Sequence, residues 1–293
     1  MKSLIQMYGQ LVKIFFLGGC MIVMMSCASP LTQRVQMTCE DSSISVGEKP
    51  AGMVWIPSGR LSDSCIQGFW MDETPVTISE FKKFIQSTGY QTEAEKFGNA
   101  GVFDFQQRVW YLQKGATWEM PQGPEKGLAP TDHPVTQVSW NDAQTYAKWV
   151  GKRLPTNIEW EHAARNARDT RSTYSWGEGL KKNDKWRANF WQGEFPHFNT
   201  AKDGFLTTSP VGYFEKTVLG LYDMSGNVWE WVADDSPIER NQTGPEKMAR
   251  GGSFLCDLDV CHGFQLGGET SSTPETALFH TGFRCVKNSE GED

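Results

Sequence analysis

Apolar positions change their rhythm along the chain. Residues 14–25 form one apolar run, and residues 30–50 are polar and without period. From residue 52 apolar residues come in short clusters set off by Gly, Pro, Asn and Asp. The clusters at 52–57, closed by Pro57-Ser58-Gly59, and at 68–71 predict short strands. Residues 77–88 predict an amphipathic helix. Thr77 and Glu80 form a capping box, Ile78, Phe81, Phe84 and Ile85 share a face, and Gly89 ends it. A second helix follows Ser139, capped with Asp142, lined by Ala143, Tyr146, Ala147 and Val150, and stopped by Gly151. A third runs over 156–168, capped by Thr156 and Glu159, with Trp160, Ala163 and Ala164 inward. Residues 91–130 read as irregular, held to a core by Phe103, Phe105, Trp110, Tyr111 and Trp118. Residues 174–235 are rich in Gly, Trp, Asn and Asp and show little period, so something beyond apolar packing is expected to order them. Helices in one part and short strands elsewhere predict an α+β fold.

The apolar run at 14–25 follows Lys2 and Lys13 and is too short to cross a bilayer comfortably, as in an export signal. It ends at Met24-Met25-Ser26-Cys27, similar to a bacterial lipobox that makes Cys27 the lipidated first residue. Leu17-Gly18-Gly19-Cys20 fits the local pattern but leaves almost no apolar run; an ordinary cleaved signal or an uncleaved anchor is the simpler alternative. The expected layout is a signal peptide at 1–26, a lipid-anchored tether at 27–50, one domain at 51–288 and a tail at 289–293. The expected location is the membrane-anchored envelope or periplasm, where cysteines can oxidise. A hydrophobic content of 39% with 12 tryptophans suits one sizeable core, and the net charge of −7 gives no reason to expect nucleic acid.

Three of the seven cysteines, Cys256, Cys261 and Cys285, fall in one stretch. Cys256 and Cys261 follow the turn-forming Gly251-Gly252. A close thiol pair there is open to three readings: a structural disulfide, half a metal site, or a redox pair. Zinc held by Cys256, Cys261 and His262 lacks a fourth ligand in sequence. His133, His162, His197 and His280 are scattered and read as structural, and Trp229 and Trp231 as core. Bound calcium is a candidate for ordering 174–235, since irregular loops supply carbonyl, amide and carboxylate oxygens. Asn241-Gln242-Thr243 is a glycosylation sequon by pattern alone.

Beyond residue 52 the chain resembles the formylglycine-generating enzyme (sulfatase-modifying factor) family. The resemblance rests on Met53-Val54-Trp55-Ile56-Pro57, on residues 89–98, and on Val138-Ser139-Trp140-Asn141-Asp142-Ala143. Gly151-Lys152-Arg153-Leu154-Pro155-Thr156 and Ala188-Asn189-Phe190-Trp191-Gln192-Gly193-Glu194-Phe195-Pro196 continue it. Gly226-Asn227-Val228-Trp229-Glu230-Trp231 and Gly282-Phe283-Arg284-Cys285 complete it. It implies a C-type lectin-like α+β fold with little regular secondary structure. It also implies two calcium sites: Asn189, Phe190, Asp203 and Phe205 in one, and Asp223, Met224, Gly226, Val228 and Glu230 in the other.

Family members that make formylglycine carry two cysteines five apart after Gly-Gly-Ser, here Ser253, Cys256 and Cys261. Two thiolates suit Cu(I), a soft ion that leaves room for a third sulfur. The implied reaction uses O2 to oxidise a cysteine of a sulfatase-like polypeptide to Cα-formylglycine, with Ser253 orienting oxygen or substrate. Gln265 and Glu269 stand where active relatives usually carry arginine. The bridge partner expected for Cys285 falls at Ala147, so Cys285 is left to pair with Cys65 or stay free and buried, and Cys39 has no evident mate. The alternative is a non-catalytic binding or structural lipoprotein on the same fold, with Cys256–Cys261 as a static disulfide.

Overall fold

The computed structural model describes Cys39 and residues 48–237 and 244–289. Cys27, the expected export signal, nearly all of the expected tether and the Asn241 sequon lie outside the described residues. Strand β1 (Met53–Ile56) leads into the hairpin β2 (Gly59–Leu61) and β3 (Ser64–Ile66), then β4 (Phe69–Asp72) returns antiparallel to β1. Helices α1 (Ile78–Thr88) and α2 (Glu93–Phe97) follow, then the hairpin β5 (Asn99–Asp104) and β6 (Val109–Lys114), then α3 (Trp140–Trp149) and α4 (Asn157–Ala164). Two small hairpins, β7 (Lys181–Lys182) with β8 (Lys185–Trp186) and β9 (Gly193–Glu194) with β10 (Phe198–Asn199), punctuate the next stretch. Strands β11 (Trp229–Asp235), β12 (Lys247–Arg250), β13 (Glu269–Ser272) and β14 (Thr281–Gly282) form a sheet in the order β13-β12-β11-β14, and β15 (Val286–Asn288) closes the β1-β4-β15 sheet.

The helices start where their sequence says. Thr77, Thr92, Ser139 and Thr156 each accept from the backbone three residues on, and Glu80, Glu95, Asp142 and Glu159 reach back to the cap. Short helices cannot hold themselves, so their apolar faces must be covered. Phe81, Phe84, Tyr146, Trp229, Trp231 and Phe283 form one core cluster, and Trp160 joins Ile56, Phe69, Met71 and Val232 in a second.

Several expectations are corrected. The third helix ends at Ala164, not near 168, where Arg165 takes the cap. The stretch 91–130 is less irregular than its sequence suggests, since it holds α2 and the β5–β6 hairpin. Phe103 and Trp118 are buried there, but Trp110 and Tyr111 lie on the outer strand and stand exposed. Cys65 bonds to Cys39, which settles Cys39's mate and rules out a Cys65–Cys285 bridge; Cys285 is free and buried, the other outcome foreseen. Calcium is not needed to explain every turn of 174–235. Two hairpins and a web of side-chain bonds centred on Asn189, Gln192, Asp203 and Asn227 already order part of it.

Candidate functional site

Strand β12 ends at Arg250 and the chain turns through Gly251 and Gly252, with φ of +91° and +71°. These left-handed angles favour glycine. A Cβ on Gly252 would run into the backbone of Gly263 and Phe264, so the two legs of the 253–263 loop touch only because Gly252 has no side chain. Asp257, buried at the loop's inner bend, accepts the amides of Val260 (2.8 Å) and Cys261 (3.1 Å) through Oδ1. That bend sets the Cα atoms of Cys256 and Cys261 4.8 Å apart, and the two are joined as a disulfide. The Cys256 carbonyl accepts the Trp191 amide at 2.8 Å, which ties the loop to the segment carrying Asn189 and Phe190. The Trp229 ring fills the space beside Gly263, where an added Cβ would strike it and lie 3.3 Å from the Cys256 sulfur.

Cys256 is buried, whereas Cys261 is half-buried with Leu258 and Val260 exposed beside it. Cys256 is therefore the enclosed member of the pair and Cys261 the half-buried one. Ser253 is brought close but is fully enclosed, with 0% exposure. Its hydroxyl lies 2.9 Å from His280 Nδ1 and accepts the Leu255 amide at 3.2 Å. His280 read as structural in the sequence; a lone histidine 27 positions away carried no spacing signal. Burial pushes its pKa down to about 3, so the ring is neutral. Trp110 stands against it at 5.1 Å between ring centroids. Asp257 was also missed, although an Asp three and four residues before its amide partners is an ordinary turn signature.

Glu269 does not aim its charge at the cysteines. The β12–β13 register sets it opposite Arg250, which it meets at 3.3 Å, while Arg250 also pairs with Glu161 in the interior. His262 is exposed, and among the described residues no three His, Cys, Asp or Glu side chains gather as a metal-holding group. The zinc reading is therefore dropped.

Of the first set of calcium residues, Phe190, Asp203 and Phe205 come together. Asp203 accepts the amides of Phe190 (3.2 Å) and Phe205 (3.0 Å), and Gln192 Nε2 bridges the Phe190 carbonyl (2.5 Å) and Asp203 (2.7 Å). Asn189 Oδ1 is buried without a partner, an orphaned oxygen that a hard cation would satisfy. Burial raises the Asp203 pKa, as expected where negative charge lacks compensation. In the second set Glu230 is held by Arg284 through two bonds of 2.7 Å and by Trp160 Nε1 at 2.7 Å. Asp223, with φ of +57°, accepts the Gly212 amide at 2.8 Å. Its pKa is pushed up to about 6, chiefly by burial. Both Glu230 oxygens are taken by Arg284 and Trp160, which leaves the buried Asp223 as the carboxylate of this set open to a divalent cation, while the orphaned Asn189 oxygen marks the first set. The two cysteine sulfurs, once reduced, fit a soft monovalent ion.

Fold and loop together define a lectin-like scaffold that carries a cysteine pair at its surface. Residues 35–289 match the model of the sulfatase-modifying factor enzyme 1-like domain, and the chain belongs to that family. It is 39% identical over 251 residues to a formylglycine-generating enzyme of Streptomyces coelicolor, spanning 77% of this chain and 80% of the relative. It is also 36% identical over 247 residues to an inactive Cα-formylglycine-generating enzyme 2 of Bos taurus, spanning 78% and 80%. Among solved structures, PvdO from Pseudomonas aeruginosa aligns with a TM-score of 0.58 at 20% identity, covering 80% of this chain and 94% of that one. That likeness speaks for the fold alone.

Proposed function

We propose that the protein oxidises a cysteine of a sulfatase-type polypeptide to Cα-formylglycine with O2. The observation that carries this reading is the Cys256–Cys261 pair, one cysteine buried and one half-buried. Reduced, the two thiolates would hold Cu(I), which supplies one-electron chemistry between thiol and oxygen. The substrate thiol becomes a thioaldehyde by losing two electrons and two protons, which O2 accepts; water then replaces sulfur and hydrogen sulfide leaves. The chain's own residues shape the place where this happens. Asp257 sets the bend that brings the sulfurs together, and Trp229 keeps water from the inner one. Calcium, held by Asn189, Phe190, Asp203 and Phe205 and by Asp223, Met224, Gly226, Val228 and Glu230, would rigidify the segment behind the loop. The reduced, Cu(I)-loaded protein should convert a Cys-x-Pro-x-Arg peptide, with a mass loss matching thiol to aldehyde. Cys256→Ser and Cys261→Ser should each abolish it. No conversion of any cysteine peptide by the wild type would end this reading.

A second reading is favoured by Gln265 and Glu269, and by the closed disulfide: a non-catalytic binding lipoprotein of the same fold. In both readings the chain is exported and lipid-anchored at Cys27. The Cys39–Cys65 bond supports the export alone, since disulfides persist in oxidising compartments. Labelled fatty acid should enter the wild type and not Cys27→Ser; equal labelling would refute the anchor.

A further inference from the structure

Ser253 cannot meet a substrate as it stands, because none of its surface is open. Its partner can. Ser253 Oγ accepts the Leu255 amide, and among the described residues the hydroxyl's own proton has no other acceptor than His280 Nδ1, 2.9 Å away. That bond selects the tautomer with the ring proton on Nε2. Among the described residues nothing bonds His280 Nε2, and the atom is not sealed from solvent. The backbone is fixed as well: the His280 carbonyl accepts the Trp229 amide at 2.9 Å, where β11 begins its parallel pairing with β14. Trp110, 47% exposed on the outer strand β6, lays an aromatic surface beside the imidazole. The cysteine loop is contiguous with this station, since the Cys256 amide donates to the Ser253 carbonyl at 2.9 Å.

Burial lowers the His280 pKa and keeps the ring neutral, which disfavours a proton relay from a substrate thiol through Ser253. The ring serves as a fixed neutral donor instead.

We propose that His280, rather than Ser253, touches the polypeptide: Nε2–H donates to a main-chain carbonyl of a peptide lying across Trp110, and Ser253 is the positioning residue that holds the tautomer. This rests on the proposed polypeptide substrate but not on its oxidation. The test uses the copper-free, oxidised protein and a fluorescent Ser-x-Pro-x-Arg peptide, the serine replacing the thiol so that no turnover occurs. His280→Phe keeps an aromatic ring beside Trp110 and loses the donor, and should weaken binding about fivefold. His280→Gln, whose amide can donate from a similar place, should restore most of it. Nitrogen NMR of the wild type should show His280 protonated on Nε2, and Ser253→Ala should give a mixture of tautomers. Binding unaltered in His280→Phe, absence of peptide binding by the wild type, or an Nδ1–H tautomer in the wild type would each overturn the assignment. Binding that depends on His280 in a protein that never oxidises a peptide would sink the oxidase reading and leave this one standing.

Discussion

Asp223 shows how one residue can report on an ion. Burial raises its carboxyl to about 6 and the nearby Glu230 adds to the rise, while the Gly212 amide and Arg284 oppose it. An unfolded Asp titrates near 4, so the ion-free fold holds this proton more tightly than the unfolded chain does. Stability from this group is fully present below about pH 4 and is lost as pH rises through 6. The two-unit difference amounts to about 3 kcal/mol at neutral pH. A cation at Asp223 and Glu230 would cancel that cost, because the ionised form is then the paired form. Asp223→Asn should therefore be more stable than wild type in chelator at pH 7, by up to about 3 kcal/mol, with the gap closing toward pH 4. In calcium the order should reverse. Thermal unfolding of both proteins, with chelator and with calcium, measures this; the same order in both conditions would remove calcium from Asp223. Comparing the two proteins also subtracts His280, whose depressed pKa acts in the opposite sense as pH falls.

The caps belong to the scale of elements, and one of them does more than cap. Asp142 accepts the Ser139 amide through Oδ2 at 2.8 Å. Its Oδ1 accepts the Tyr90 hydroxyl at 2.9 Å and the Glu93 amide at 3.1 Å, so the first turn of α3 also fixes the start of α2. Ser139→Ala should cost about 1 kcal/mol, as for an ordinary cap. Asp142→Ala strands a buried amide, a half-buried amide and a half-buried phenol and should cost about 3 kcal/mol. Urea unfolding separates them; equal losses would mean that Asp142 acts only as a cap. The same elements show what sequence could and could not say. The capping boxes of α1 and α3 were readable because an amphipathic run follows each, and that of α4 because Trp160, Ala163 and Ala164 follow it at helical spacing, although α4 is buried all round its last turn. Thr92 and Glu95 carry the identical signature, but α2 has five residues, too few for a period to emerge. The β5–β6 hairpin was hidden for another reason: β6 buries almost nothing, so Val109, Trp110, Tyr111 and Leu112 do not alternate. The paired cysteines were visible from their spacing after two glycines. His280 was not, because its place beside Ser253 depends on strand pairing across the sheet rather than on anything local.

At the scale of the molecule, the fold sorts its sulfur by depth. Cys39–Cys65 staples the chain before β1 to the β2–β3 hairpin across 26 residues, while Cys256–Cys261 closes a loop of only five. On chain-entropy grounds the longer bridge is worth about 3.5 kcal/mol and the shorter about 2, so opening the shorter one leaves most of the fold's stability in place. Cys285 is buried in the core just before β15. Its amide donates to Asp72 at 2.9 Å, and burial pushes its thiol well above the usual range. A pair meant to open and close on a standing scaffold should then react while the core thiol stays silent. Mild reduction of the native protein followed by alkylation should label Cys261 readily. Cys285 should react more slowly by at least about two orders of magnitude, because reaching it requires opening of the core. Peptide mapping gives both rates. Comparable labelling of Cys285 in the native protein would mean that reduction of the loop loosens the whole scaffold, and the cysteine pair would then be a structural clasp rather than a working one.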